Sequence, residues 1–239
     1  MAAKKTKITK ENQNNDLSIK TNRKPKIQVA LTTKNEEESI EYMINEIRKV
    51  GLNDIYVVDE HSDDKTEEIA KRMGVPVFQR KGSGKGFGVQ MAIDIAIKNK
   101  TDILVLPDCD CTYPPKHIPD LLKYFPKYDM VVGKRDFKRV KPLHRLPNIF
   151  HTMSINLLYG GRLKDINSGM RAIKVGRFAN TIDAKGFDVE SQITIKALKK
   201  KMKIKEIPID YQARRGDSKI RIKDGILIEW RIIKELFIR

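Results

Sequence analysis

Apolar residues along the chain fall into short continuous runs separated by amphipathic stretches. "KIQVALTT" (Lys26 to Thr33) is one such run, and a run of this length between polar turns reads as a strand buried on both faces. "DIYVVDE", "VPVFQR", "DILVLPD", "DMVVGKR" and "KIKEIPIDYQARR" repeat the pattern, and "DINSGMRAIKVGRF" reads as a turn and strand. Between the runs lie helical periods. In "NEEESIEYMINEIRKVG", Ile40, Met43, Ile44 and Ile47 recur at helical spacing and Gly51 closes the segment. Further helices are predicted in "DKTEEIAKRMG", in "GSGKGFGVQMAIDIAIKN" behind a glycine-rich loop, and in "PKHIPDLLKYF", "LHRLPNIFHTMSINLLYG", "DVESQITIKALKKK" and "GILIEWRIIKELFIR". This alternation predicts an α/β fold: a doubly wound, mostly parallel sheet with helices on both faces, in one domain. No internal repeat is present.

Sheets of this kind bind ligands at the carboxyl ends of their strands, and acidic residues gather there. Glu36 and Glu37 follow the first strand, Asp59 closes the second, and Asp108 and Asp110 follow "ILVLP". Asp108 and Asp110 are one residue apart, so on extended chain they project to the same side. Two carboxylates that close repel unless positive charge lies between them. A divalent metal meets that need; a polar loop capping the next helix fits the stretch equally well. Asp63 or Asp64 can cap the helix after the second strand. Collectively the acidic strand ends point to a nucleotide site with a metal.

The glycine-rich loop matches neither common phosphate motif. A P-loop needs Gly at 79 and Ser or Thr at 86, where Gln79 and Gly86 stand. The dinucleotide fingerprint needs Gly at 87, where Phe87 stands. A helix N-terminus beside Lys85 can still hold a phosphate.

Charge sharpens the choice of partner. The 239 residues carry a formal charge of +17. Residues 1–25 hold seven lysines and arginines against two carboxylates and few apolar residues, so a disordered basic tail is expected there. Residues 196–223 hold eleven against three. Such a balance calls for an anionic partner. Cys109 and Cys111 alone make neither a disulfide framework nor a zinc site. No apolar run reaches bilayer-spanning length and the N-terminal stretch lacks a signal-peptide core. The expectation is a cytoplasmic protein, soluble or attached peripherally to the inner face of the cell membrane.

In order, "NEE", "VVDEHSDDKT", "GSGKGFGVQMAI", "DCDCTYPP", "VVGKR", "DINSGMRAIK", "GFDVESQ" and "EIPIDYQARRGDSK" resemble the family 2 glycosyltransferases of GT-A fold, which implies a mixed, mostly parallel sheet. More narrowly they resemble the dolichyl-phosphate sugar synthases, which move one hexose from a nucleotide sugar to a polyprenyl phosphate. The likeness spans about residues 26–223, with 224–239 left as an amphipathic helix. It implies that Asp59, with Glu37 nearby, recognises the nucleotide, and that Lys85 joins the nucleotide-sugar site. Asp108 and Asp110 match the D-x-D that binds Mg²⁺ or Mn²⁺, with Asp110 the principal ligand. Arg135 and Arg171 resemble residues lining the acceptor phosphate. Arg214, Ser218 and Lys219 match a phosphate-binding signature on a mobile loop, and Arg135, Arg214 and Lys219 join Asp110 as the catalytic set. Thr112 occupies a position where mannose-transferring members often carry Gln, which favours UDP-glucose or UDP-N-acetylglucosamine over GDP-mannose as donor.

The chemistry agrees with these residue types. A phosphate monoester has a second pKa of about 6 and is already a nucleophile at neutral pH, so no strong base is needed. Positive charge to bring two anions together is the requirement. Glu190 is a weaker candidate for a sugar-hydroxyl contact, and Asp188 for a helix cap. Two helices, around Leu146 to Leu158 and Ile226 to Phe237, carry apolar faces with basic neighbours and suit a membrane surface. A GT-A enzyme with a non-lipid acceptor is an alternative. A basic nucleic-acid-binding module is another, but the aromatic platforms and motifs of such modules are missing, so no nucleic-acid partner is expected.

Overall fold

A computed structural model describes residues 23–139, 142–216 and 219–238. The elements follow the apolar runs: β1 (Ile27–Thr33), α1 (Ile40–Lys49), β2 (Ile55–Asp59), α2 (Thr66–Arg72), β3 (Val77–Gln79), α3 (Lys85–Lys98), β4 (Ile103–Leu106), α4 (Ile118–Leu122), β5 (Met130–Arg135), α5 (Pro142–Tyr159), β6 (Arg171–Lys174), α6 (Val175–Phe178), α7 (Val189–Lys199), β7 (Ile204–Ile209) and α8 (Ile222–Phe237).

The strands form one seven-stranded sheet in the order β3-β2-β1-β4-β6-β5-β7. All pairings are parallel except those of β6, which runs antiparallel to both β4 and β5. β4 is apolar at every position, and Val29–Leu31 of β1 and Ile55–Val58 of β2 are buried apolar runs, because both faces are covered. Val29, Val57 and Val105 face one layer, with Ile40, Met43, Ile44 and Ile47 of α1. Ala30, Val58 and Leu104 face the other, with Ala92 and Ile93 of α3 and Val189 and Ile193 of α7. A third cluster joins α5, α7 and α8 through Ile155, Ile195, Ile228 and Ile232. The C-terminal helix set apart at residue 224 is therefore one continuous element from Ile222, packed into the domain. Of the basic tail, residues 1–22 lie outside the described residues; Arg23 pairs with Asp102 at 2.8 Å.

The glycines of the glycine-rich loop have a steric reason. A Cβ at Gly84 would lie 2.4 Å from the Lys185 carbonyl oxygen, and one at Gly86 would lie 1.9 Å from that of Ala184. The loop is thin so that the backbone of residues 184–185 can dock against it.

Candidate active site

β1 and β4 are parallel neighbours, and their pairing continues past the end of β4 in a bridge between Thr32 of β1 and Asp108. The segments after both strands therefore emerge side by side at the carboxyl edge. The chain after β7 joins them through its backbone: Gln212 N–H donates to the Thr112 carbonyl and Arg215 N–H to that of Asp110, both at 3.0 Å. This docking delivers Arg214. Its guanidinium donates to Asp110 Oδ2 at 2.6 Å and to Glu36 Oε1 at 3.0 Å. Lys219 Nζ donates to the same Glu36 oxygen at 2.6 Å and to the Lys34 carbonyl. Asp110 Oδ1 accepts from Thr112 N–H at 3.0 Å and from its hydroxyl at 2.5 Å. Burial pushes the Glu36 carboxyl up from its ordinary pKa, against the pull of Lys219 and Arg214.

Asp108 belongs to a second, adjoining cluster. Lys85 Nζ stands 2.5 Å from both Asp108 Oδ1 and Glu190 Oε1. Burial works against the Lys85 charge, but the two carboxylates outweigh it and raise the pKa. The Asp108 carboxylate lies against bare backbone: a Cβ at Gly169 would fall 1.9 Å from Oδ2. That contact explains the glycine of "SGMR".

Among the expected site residues, Asp108, Asp110, Lys85, Arg214 and Lys219 converge. Others stand apart. Asp59 is fully buried, and its oxygens accept from Thr33 Oγ1, Ser62 Oγ and Ser62 N–H at 2.6–2.7 Å; it ties β1 to the turn after β2. Glu37 accepts from Lys65 N–H at 3.1 Å, on the exposed side toward α2. Arg171 is 2% exposed, with its guanidinium on the carbonyls of Glu190, Ile166 and Ser168. All these acceptors are backbone, and Arg171 lines a small pocket together with Lys85, Asp108 and Glu190, so it braces the floor beneath them. Arg135 grips the buried Asp165 through Nε and Nη2 at 2.8 and 2.7 Å and lies under Tyr211. Its donors face inward as well. Ser218 lies outside the described residues.

Glu36, rather than Glu37, is the acidic residue that β1 contributes to the cluster. The doublet was legible, but only tertiary packing decides which member turns inward. Glu60 is a second missed residue. It accepts from Ser83 Oγ at 2.5 Å and Gly84 N–H at 3.3 Å, and pairs with Arg80, so it anchors the glycine-rich loop to β2.

The donor set around Asp108 and Asp110 consists of hard, anionic oxygens, the type that Mg²⁺ and Mn²⁺ prefer. Both carboxylates already face cationic groups, Lys85 and Arg214. Among the described residues no group of three metal-holding side chains is assembled; the fit to a divalent cation lies in the ligand type of these two carboxylates, for which Lys85 and Arg214 are the counter-charges in this structure.

Away from the cluster, α5 and α8 present an outward apolar face. Leu146, Phe150, Met153 and Leu157 on α5 are 58–84% exposed, and Ile226, Trp230, Ile233 and Phe237 on α8 are 42–82% exposed. Both quartets have the spacing of one helical stripe. Among the described residues no helix is long and apolar enough to cross a membrane.

A family model described as glycosyl transferase family 2 matches residues 28–180, which include β1, β2, the glycine-rich loop and the D-x-D. The chain belongs to glycosyltransferase family 2. Among its relatives, a dolichyl-phosphate hexose transferase of Haloferax volcanii is 30% identical over 198 residues, covering 80% of this chain and 85% of that one. A dolichol-phosphate mannosyltransferase of Pyrococcus furiosus is 30% identical over 220 residues, 83% of this chain and 60% of the relative. A crystal structure of glucosyl-3-phosphoglycerate synthase from Mycobacterium tuberculosis, in complex with Mn²⁺, UDP and phosphoglyceric acid, matches with a TM-score of 0.75 at 20% identity over 90% of this chain and 80% of that one. This family 2 chain thus has the GT-A fold, with a mixed, mostly parallel sheet.

Proposed function

We propose that the protein transfers one hexose from a nucleotide sugar to dolichyl or another polyprenyl phosphate, supplying lipid-linked sugar for glycan assembly such as protein N-glycosylation. The observation that carries this reading is the meeting of the D-x-D carboxylate Asp110 with Arg214, the arginine of the phosphate-binding signature, at the strand ends. The relatives named for dolichyl-phosphate substrates support it.

In the reaction, the anomeric carbon–oxygen bond to the nucleoside diphosphate breaks as a bond to a phosphate oxygen of the acceptor forms. In-line attack inverts the anomeric centre. The acceptor is already ionised at neutral pH, so the protein's work is electrostatic and positional. Asp110, with Asp108, would hold Mg²⁺ or Mn²⁺, which offsets charge developing on the diphosphate. Arg214 and Lys219 then have a different task. In this structure they neutralise Asp110 and Glu36; with substrates bound, their donors turn to phosphate oxygens, Arg214 through two parallel N–H groups and Lys219 as a point charge. Lys85 and Glu190 flank Asp108 on the donor side. Thr112 satisfies Asp110 where mannose-transferring relatives often carry Gln, so the favoured donor is UDP-glucose or UDP-N-acetylglucosamine, with GDP-mannose the alternative.

A membrane acceptor accounts for the outward faces of α5 and α8. Apolar stripes beside Arg145, Lys223 and Lys234 suit the interface of an anionic cytoplasmic leaflet. A water-soluble acceptor would leave them without a purpose. The test is a donor panel of radiolabelled UDP-glucose, UDP-N-acetylglucosamine and GDP-mannose against dolichyl phosphate. A UDP-sugar giving lipid-linked product supports the assignment; product from GDP-mannose alone overturns the donor choice.

A further inference from the structure

We propose that Arg231 is a positioning residue: it staples the 183–188 loop so that two carbonyls of that loop hold the glycine-rich loop, and with it Lys85, in place. The proposal rests on the transferase reading only for its effect on nucleotide binding. The staple itself is a matter of contacts.

Helix α8 is unusual in its polarity. Trp230 and Phe237 point outward while Arg231 and Glu235 are buried beneath them. Buried charge is costly unless paired: Glu235 pairs with Lys196 of α7 at 2.9 Å and lies 3.6 Å from Arg231, and the remaining partners of Arg231 lie on one loop. Arg231 Nε donates to Asp188 Oδ2 and Nη1 to Asp183 Oδ1, both at 2.7 Å. One guanidinium thus grips both ends of a six-residue segment. Gln192, fully buried, completes the grip: its carbonyl oxygen accepts from Asp183 and Ala184 N–H at 2.9 and 2.8 Å, and its amide donates to Glu235 at 2.6 Å.

Between the gripped ends lie Ala184 and Lys185. The Lys185 carbonyl accepts from Gly86 N–H at 3.0 Å, and the Ala184 carbonyl from Gln90 Nε2 at 2.7 Å. Gly84 and Gly86 are bare because these two carbonyls stand where a Cβ would be. Lys85 lies between those glycines, and its ammonium bridges Asp108 and Glu190. Glu190 follows the stapled segment by two residues. The path from Arg231 to the D-x-D is therefore a run of direct contacts, each end of which is fixed by packing. No step in the reaction uses Arg231 itself.

A lysine at 231 keeps the charge but reaches only one carboxylate at a time. In the full chain, Arg231→Lys is expected to raise amide hydrogen exchange over residues 82–90 about tenfold, the scale of one lost buried hydrogen-bonded contact. Exchange in β1 and β4 should stay at wild-type rates. Gln90→Ala, which removes the reader of the Ala184 carbonyl, should act on the same segment, and it serves if Arg231→Lys folds poorly. Lys199→Ala is the control, because Lys199 touches α8 only at its last carbonyls. Calorimetry with UDP and with GDP, each with Mn²⁺, should show about tenfold weaker nucleotide binding in Arg231→Lys and Gln90→Ala than in wild type. The KM for lipid phosphate should be unchanged, a split that loss of folded protein cannot produce. Unchanged exchange over 82–90 in both variants, or a rise spread evenly over the whole chain, overturns the inference. Failure of wild type to bind either nucleotide sinks the transferase reading instead, and the exchange result still decides the staple.

Discussion

Arg214 Nη1 lies 2.6 Å from Asp110 Oδ2, although 104 residues separate them. The pairing is made by backbone: the chain after β7 hydrogen-bonds to residues 110 and 112 and carries Arg214 to the D-x-D. Arg215 points elsewhere, its guanidinium 4.5 Å from the centre of the Tyr42 ring. Neighbouring arginines with opposite surroundings should differ in effect. Arg214→Ala and Lys219→Ala are expected to lower turnover by about 10²-fold or more, the loss seen when a charge-stabilising donor is removed. Arg215→Ala should cost far less. Steady-state kinetics with dolichyl phosphate checks this; equal effects of Arg214→Ala and Arg215→Ala would break the assignment.

The loop that bears Lys85 offers a steric test. Gly86→Ala places a methyl group 1.9 Å from the Ala184 carbonyl oxygen, and backbone on both sides must shift. A destabilisation of about 1–3 kcal/mol is expected. Gly225, within α8, has nothing within 4 Å of its missing Cβ, so Gly225→Ala should stabilise by up to about 1 kcal/mol. Urea unfolding of both variants measures the contrast, and equal signs would contradict the close docking of residues 184–185.

Much of this was legible in the chain. Continuous apolar runs gave the strands, and the acidic ends of β1 and β4 mark where Glu36, Asp108 and Asp110 gather. Three features were not. The antiparallel direction of β6 leaves no trace in "MRAIK", because a strand covered on both faces reads the same either way. Arg171 carries the family signature yet turns inward, since its acceptors are carbonyls of residues 166, 168 and 190, which only the folded chain brings together. Glu36 and Glu37 look alike in sequence; Arg214 and Lys219 select Glu36.

The single tryptophan, Trp230, is a built-in reporter of the outward face. It is 62% exposed, on the stripe of α8. Its emission should shift to the blue on adding anionic vesicles that contain no polyprenyl phosphate, and the shift should weaken with salt. Leu157→Glu with Phe237→Glu should reduce vesicle binding about tenfold or more. Emission indifferent to vesicles would remove the membrane from the account of α5 and α8.

His151 predicts a pH effect. It is 4% exposed, with Nδ1 facing the Asn167 amide at 3.1 Å, and burial lowers its pKa below the ordinary 6.5. The unfolded chain takes up a proton near pH 6.5 while the folded chain resists it. The contribution is therefore complete above pH 6.5 and is lost as pH falls toward the folded value. Up to about 1 kcal/mol should disappear between pH 6.5 and 5.5. In His151→Gln that part of the slope should vanish; an unchanged slope would assign it to other groups.

The most direct test of the central claim is transfer itself. The full chain is incubated with radiolabelled UDP-sugars and GDP-mannose, dolichyl phosphate and Mg²⁺ or Mn²⁺, and the organic phase is counted. The account predicts acceptor-dependent label in the lipid phase, abolished by EDTA, restored by added metal, and absent in Asp110→Ala and nearly so in Asp108→Ala. Undiminished transfer in Asp110→Ala, or label appearing only on a water-soluble acceptor, would contradict it.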